Sequence, residues 1–304
     1  MKKILSLVAA AVLGTVVYAQ PKIVAHRGYW RTDGSAQNSI TALQKAATLG
    51  CYGSEFDMWV TADGVPVVFH DATVDGIRIE DTTYATLMNH RLANGEFIPT
   101  LQQYLTEAAK WENCKIIFEI KTHRSDVRNK RAADMAVEMV RMLGLEKRTE
   151  YIAFSKVVCQ RLHEITPESK IAYLSGDLTP AQVKEMGLSG IDYNEGVFKK
   201  HPEWLQEAKQ LGIEVNVWTV DGEDNLRHHA NLDGIDIITT NDPEILKGIL
   251  AEQQQAKQPA AKKTKKHKRF PWRSAVRWLT QRAALAIAAR CIGHRTALHC
   301  GSEE

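Results

Sequence analysis

The segments IVAHRGYW (residues 23–30) and SEFDMWVTADGVPVVFHD (residues 54–71) decide how this 304-residue chain is read. His26-Arg27-Gly28 follows a short β-branched run. Glu55 and Asp57 lie two apart in a second run, and His70-Asp71 closes a third. Side chains two apart in a strand share a face, so Glu55 and Asp57 aim two hard oxygen ligands at one spot. The pattern returns in residues 116–121, where Glu119 and Lys121 share a face. Carboxylates, histidines, an arginine and a lysine thus gather at the ends of apolar strands, the residue set that a divalent cation and a phosphoryl group require.

Working outward, eight apolar runs recur with helical stretches between them: residues 22–25, 53–58, 115–121, 151–154, 170–174, 190–193, 214–219 and 234–239. Most are rich in Ile and Val with little alternation, as expected of strands buried on both faces. Asn38 or Ser39 caps a helix over 40–49 that closes at Gly50. Pro99-Thr100 opens 101–111, Thr179-Pro180 opens 181–186, and Pro202 opens 203–211, closed by Gly212. A ninth run, 65–69, follows the second too closely for a parallel crossover, and Asp63-Gly64 is a hairpin signal. It therefore folds back as an excursion and leaves eight parallel strands, the count of a TIM (β/α)8 barrel. An open doubly wound sheet is the alternative, disfavoured because the chain has no Gly-rich phosphate loop. Residues between Asp71 and Pro99 are polar and irregular, with a short helix over 84–92. They read as an insertion over the barrel mouth that tunes substrate choice.

The chain divides into 1–19, 20–250 and 251–304. Lys2-Lys3, an apolar run over 4–17 and Val17-Tyr18-Ala19 predict a signal peptide cut before Gln20, hence export to a periplasm or the exterior. An uncleaved anchor is the alternative. The net charge of +3 hides a split, since 1–252 is mildly acidic and 253–304 strongly basic. The barrel thus calls for no nucleic-acid partner. As a basic arm the tail suits an anionic surface such as nucleic acid, lipid or cell-wall polymer; as a block of like charge it reads as a disordered segment. Five cysteines show no zinc spacing. Cys51 and Cys114 precede successive strands at the same end, where a bridge is feasible but two buried free thiols are expected. Cys291 and Cys300 belong to the tail.

Functional groups of a TIM barrel gather at the carboxyl ends of its strands. His26-Arg27, Glu55 with Asp57, and Glu119 with Lys121 all reach that mouth from neighbouring strands. Three carboxylates suit Ca2+ or Mg2+ better than zinc, so Glu55, Asp57 and Glu119 are the expected metal ligands. Arg27 and Lys121 are the expected phosphate-binding cations. His26 and His70, titrating near neutrality, are the expected proton-transfer residues. His90, His123, His163 and His201 receive no role. Trp59 continues the face of Glu55 and Asp57 and is a candidate for the same pocket.

At these residues the chain resembles the glycerophosphodiester phosphodiesterases, within the superfamily of phospholipase C-like phosphodiesterase barrels. The resemblance is carried by His26-Arg27-Gly28, Glu55-Phe56-Asp57, the run from Asp63-Gly64 through Pro66-Val67-Val68-Phe69-His70-Asp71, Ile98-Pro99-Thr100-Leu101, Glu119-Ile120-Lys121, Val217-Trp218-Thr219-Val220 and Ile238 to Pro243. It covers about residues 23–245, in the family's order, and not the tail. It implies a TIM barrel that uses one divalent cation to hydrolyse small-molecule glycerophosphodiesters to glycerol 3-phosphate and an alcohol. It also implies that Trp218 walls the glycerol, where the bland alternative is a core tryptophan. The attacker is either the glycerol's own hydroxyl or water. The family's usual Pro-Glu-Asn-Thr is here Ala36-Gln37-Asn38-Ser39, which puts the surroundings of the metal in question. Rival readings are a phospholipase of the phosphatidylinositol-cleaving or sphingomyelinase D type and a non-catalytic phosphoester-binding module. The first needs an apolar membrane rim that 71–99 does not offer.

Overall fold

A computed structural model of the protein describes residues 20–257. The expected signal peptide (1–19), the basic run from Lys262, and Cys291 and Cys300 lie outside the described residues. Eleven strands run in chain order: β1 (Lys22–Ala25), β2 (Gly53–Val60), β3 (Pro66–Val68), β4 (Thr73–Val74), β5 (Ile77–Arg78), β6 (Lys115–Ile120), β7 (Thr149–Ala153), β8 (Lys170–Tyr173), β9 (Gly190–Asn194), β10 (Glu214–Trp218) and β11 (Ile237–Thr240). Eight of them form a parallel sheet in the order β1-β11-β10-β9-β8-β7-β6-β2, and β1 also pairs with β2 through Val24 opposite Gly53. The sheet therefore closes on itself as the TIM barrel the apolar runs predict, with helices around it.

The alternation along β2 and β6 sorts side chains between two cores. Phe56 and Phe118 point outward to the helices, their rings 4.5 Å apart, and the Tyr104 ring from the helix Leu101–Ala108 lies tilted 4.4 Å from Phe56. Ile117 points inward and packs with Val24, Ile152, Leu174 and Ile237. Glu55, Asp57 and Glu119 share that inward face, so an apolar plug floors the site they form. The helix Ile40–Leu49 is capped by Ser39, whose side chain accepts from the N–H of Ala42, and closed by Gly50 at φ 80°. Of the two proposed caps Ser39 is thus the one used, which leaves Asn38 free for another role.

β3 folds back antiparallel on β2, pairing Met58 with Val68 and Trp59 with Val67, as the Asp63-Gly64 turn predicts. The insertion that follows is more ordered than its polarity suggests. It holds the ribbon β4–β5, a 3-10 turn at Ile79–Asp81 and a helix at Tyr84–Leu87. Val74, Ile79, Leu87, Leu92 and Ile98 pack on Trp59 and Val67 as a separate small core. That helix stops well before residue 92, because His90 turns away to Asp75 at 2.6 Å and Leu92 bonds instead to Glu96. The last barrel strand starts at Ile237 and not at 234, since Gly234 holds φ 96° and breaks the extended run. The final helix runs Pro243–Lys257, so position 250 falls inside it. Its residues 251–257 are AEQQQAK, all helix formers, and Pro259 follows. Cys51 and Cys114 are buried free thiols, pushed by burial up to about 12 and about 11. Among the described residues no helix is long and apolar enough to cross a membrane.

Candidate active site

The parallel register sets Asp57 beside Glu119, with Glu55 one pleat before Asp57 on the same face. All three are almost wholly buried, at 2%, 1% and 7% exposure. One oxygen from each lies within 4.8 Å of the others. Buried carboxylates this close repel one another and lose hydration. Burial, and then Asp57, push Glu119 up to about 7. Burial, Asp57 and Glu119 raise Glu55 well above the usual carboxylate range. Asp57 behaves oppositely: burial alone raises it, but Lys121, His70, Asn38 and Arg27 outweigh burial and hold it below its ordinary value. Lys121 Nζ lies 2.7 Å from Glu119 and donates to Asp57 Oδ1 at 3.1 Å.

Glu55 Oε1 is buried without a hydrogen-bond partner. An orphaned oxygen in an all-carboxylate trio fits a hard divalent cation, which needs several oxygen donors and no nitrogen or sulfur. The set offers no preference between Ca2+ and Mg2+.

The turn after β1 delivers the next groups. Arg27 adopts φ 56° and Gly28 φ 76°. This reversal directs the Arg27 N–H to Glu55 Oε2 at 2.7 Å. The Arg27 guanidinium donates from Nη1 to Gln37 Oε1 at 2.6 Å and brings Nε to 3.9 Å from Asp57. Gln37, the departure from the family pattern, therefore contacts Arg27. Asn38 donates to Asp57 Oδ2 at 2.8 Å. Sequence reasoning missed that role; φ 60° at a non-glycine residue next to a capping Ser is its only local trace.

His26 is half-buried, and burial followed by Arg27 lowers it to about 4. Its Nδ1 lies 2.9 Å from Asn241 Oδ1. His70 ends the β3 arm with Nδ1 2.7 Å from Asp71, and Trp59 Nε1 donates to the His70 carbonyl at 3.0 Å. Trp59 thus belongs to the small core and fastens His70, in place of the pocket position expected of it. Burial lowers His70. Trp218 is half-buried at the end of β10; its indole donates to the Asp192 carbonyl at 2.8 Å and meets Phe154 edge-on at 5.6 Å. Asp192, Asn241 and Asp221 were not legible as site neighbours. Asp192 is hidden in an apolar strand, and the other two stand in loops. His123 is structural: Nδ1 donates to the Lys121 carbonyl at 2.8 Å and Nε2 accepts from Val60 N–H at 3.1 Å.

Residues 26–245 match the model of the glycerophosphoryl diester phosphodiesterase family. The chain belongs to this family. A solved glycerophosphodiester phosphodiesterase from Parabacteroides distasonis is 45% identical, with a TM-score of 0.76 over 78% of this chain and 99% of that one. Glycerophosphodiester phosphodiesterase of Caldanaerobacter subterraneus is 26% identical over 239 residues, 74% of this chain and 95% of the relative. Mouse glycerophosphodiester phosphodiesterase 1 is 34% identical over 156 residues; the match spans 47% of this chain and only 43% of the mouse protein. The family resemblance read from the motifs is thereby borne out.

Proposed function

We propose that this protein hydrolyses glycerophosphodiesters to glycerol 3-phosphate and an alcohol with the help of a divalent cation. The observation that carries the reading is the buried trio Glu55, Asp57 and Glu119, its ligand oxygens within 4.8 Å of one another, with His26 in the turn after β1 and His70 just beyond β3. These carboxylates would hold Ca2+ or Mg2+, which would polarise a phosphoryl oxygen and offset the charge developing on it. Arg27 and Lys121 add fixed positive charge for the phosphate, and both are already oriented by Gln37, Asp57 and Glu119. One of His26 and His70 removes the proton of the attacking hydroxyl, and the other protonates the departing alcohol oxygen. Trp218, pinned by Asp192 and Phe154, is a rigid apolar wall for the glycerol carbons.

A soluble diester suits the mouth better than a lipid in a bilayer. The exposed large apolar side chains of the insertion are Met88 and Phe97, and the Arg91 guanidinium covers Phe97 at 3.1 Å. The N-terminal pattern supports export to a periplasm or the exterior. The test of that reading is N-terminal sequencing of the protein from an extracytoplasmic fraction, with Gln20 expected first. The basic tail is assigned no part in catalysis.

The functional test is turnover of glycerophosphocholine. Activity should vanish in chelator and return with Ca2+ or Mg2+. His70→Ala should lower the rate by about two to four orders of magnitude. Tight binding of the diester with no turnover under any cation would replace the hydrolase reading with that of a binding module.

A further inference from the structure

His26 Nδ1 lies 2.9 Å from the side-chain oxygen of Asn241. A ring nitrogen facing an amide oxygen must carry the hydrogen; facing an amide NH2 it must carry the lone pair. The end of the Asn241 amide that meets the ring therefore decides the tautomer of His26. Two side chains that cannot exchange donor and acceptor roles fix that end. Asn241 Nδ2 donates to Asp221 Oδ2 at 2.8 Å, and an ionised carboxylate only accepts. Trp30 Nε1 donates to Asn241 Oδ1 at 2.7 Å, and an indole only donates. Reversing the amide would set NH2 against the indole N–H and oxygen against the carboxylate. Asp221 is itself held in place: it accepts the Asn241 backbone N–H at 2.9 Å and pairs with Arg31 at 3.0 Å.

We propose that Asn241 is a positioning residue: held by Asp221 and Trp30, it fixes His26 as the Nδ1–H tautomer and leaves Nε2 with the lone pair that accepts the proton of the attacking hydroxyl. The inference rests on the hydrolase reading and assigns the two imidazoles within it. His70 has a different partner, since its Nδ1 faces the Asp71 carboxylate at 2.7 Å. An amide oxygen holds a neutral ring in one tautomer, whereas the Asp71 carboxylate raises His70 against a larger lowering by burial. With His26 as the base, His70 is left as the acid. In the step, His26 Nε2 takes the hydroxyl proton as the new O–P bond forms. The P–O bond to the alcohol breaks, and His70 Nε2–H passes its proton to that oxygen.

Long-range 1H–15N NMR of the full chain, with His26 signals assigned by their loss in His26→Gln, reads the tautomer without turnover. Wild type is expected to show Nδ1–H. Asp221→Asn, which turns one of the two carboxylate acceptors into a donor and lets the Asn241 amide reverse, should shift His26 toward Nε2–H and lower kcat at least about tenfold, with KM within about twofold. Trp30→Phe should act in the same direction and serves if Asp221→Asn does not fold. An Nε2–H ring in wild type overturns the proposal. So does a variant whose ring reverses while kcat is unchanged, or one whose tautomer does not respond. If the chain turns over no glycerophosphodiester, the hydrolase reading fails and the catalytic half of the proposal falls with it; the ring spectrum still decides the positioning half.

Discussion

Asn38 and Asp57 exchange two hydrogen bonds: the Asn38 amide donates to Asp57 Oδ2 at 2.8 Å, and its oxygen accepts the Asp57 backbone N–H at 3.1 Å. One side chain thereby satisfies both the carboxylate and the backbone of a central acidic residue. Asn38→Ala should destabilise the protein by about 1–3 kcal/mol, because a buried carboxylate and a buried N–H both lose a partner. Divalent-cation affinity should also fall by about 10–100-fold, the usual cost of losing a group that orients a ligand. Denaturant melts and cation titrations of the variant check both; wild-type values in both would remove Asn38 from the site.

The crowding of Glu119 has a sign that can be measured. Its folded pKa of about 7 lies above the ordinary 4.5. That contribution to stability is fully present below 4.5 and is lost as pH rises through about 7. Glu119→Gln stays neutral and escapes the loss. In chelator, its melting temperature relative to wild type should therefore climb between pH 5 and pH 8. Cation at about 100 times its Kd should stabilise wild type by about 2.7 kcal/mol and the variant by much less. A cation response unchanged in Glu119→Gln refutes the ligand assignment.

His123 makes the molecule sensitive to acid. It must be neutral, because Nε2 accepts from Val60 N–H at 3.1 Å. Burial lowers it from the ordinary 6.5. Its contribution to stability is fully present above 6.5 and is lost as pH falls through the lowered folded value. Thermal melts from pH 7 to pH 4 should show a fall in stability that His123→Gln makes shallower. An identical slope in the variant would show that other groups account for it.

Gly28 tests the turn that aims Arg27 and His26. At φ 76° a Cβ here would lie 2.6 Å from the Ala42 Cβ and 2.7 Å from the Ala42 backbone carbon. Gly28→Ala combines that clash with left-handed backbone, each costing about 1–3 kcal/mol. Soluble yield, melting temperature and turnover should all drop. Arg27→Ala, by contrast, should keep the fold and lose turnover. A Gly28→Ala protein with wild-type stability would show that the turn relaxes at little cost.

Much of the molecule is legible in its sequence, for a definite reason. Barrel strands are buried on both faces, so runs such as 115–121 and 214–219 stand out by composition. Paired acids in such runs, as at Glu55 and Asp57, are costly without a partner and therefore conspicuous. Their convergence with Glu119 follows from parallel register alone. Asn38, Asp221 and Asn241 were hidden because a polar residue in a loop is unremarkable, and only the fold shows what it faces. The small core of the insertion was hidden too: Val74, Ile79, Leu87, Leu92 and Ile98 fall at irregular spacing in a largely polar stretch. No periodicity announces a cluster built from turns.

The two imidazoles stand on different bodies. His26 leaves the barrel wall, whereas His70 ends an antiparallel arm pinned by Trp59. The joint between them lies upstream of residues 72–98, whose Val74, Ile79, Leu87, Leu92 and Ile98 form the small core on which Trp59 rests. Removing 72–98 would therefore strip the packing from Trp59 and, through it, the support of the His70 carbonyl. A cut made one strand earlier would separate the two imidazoles and silence the enzyme.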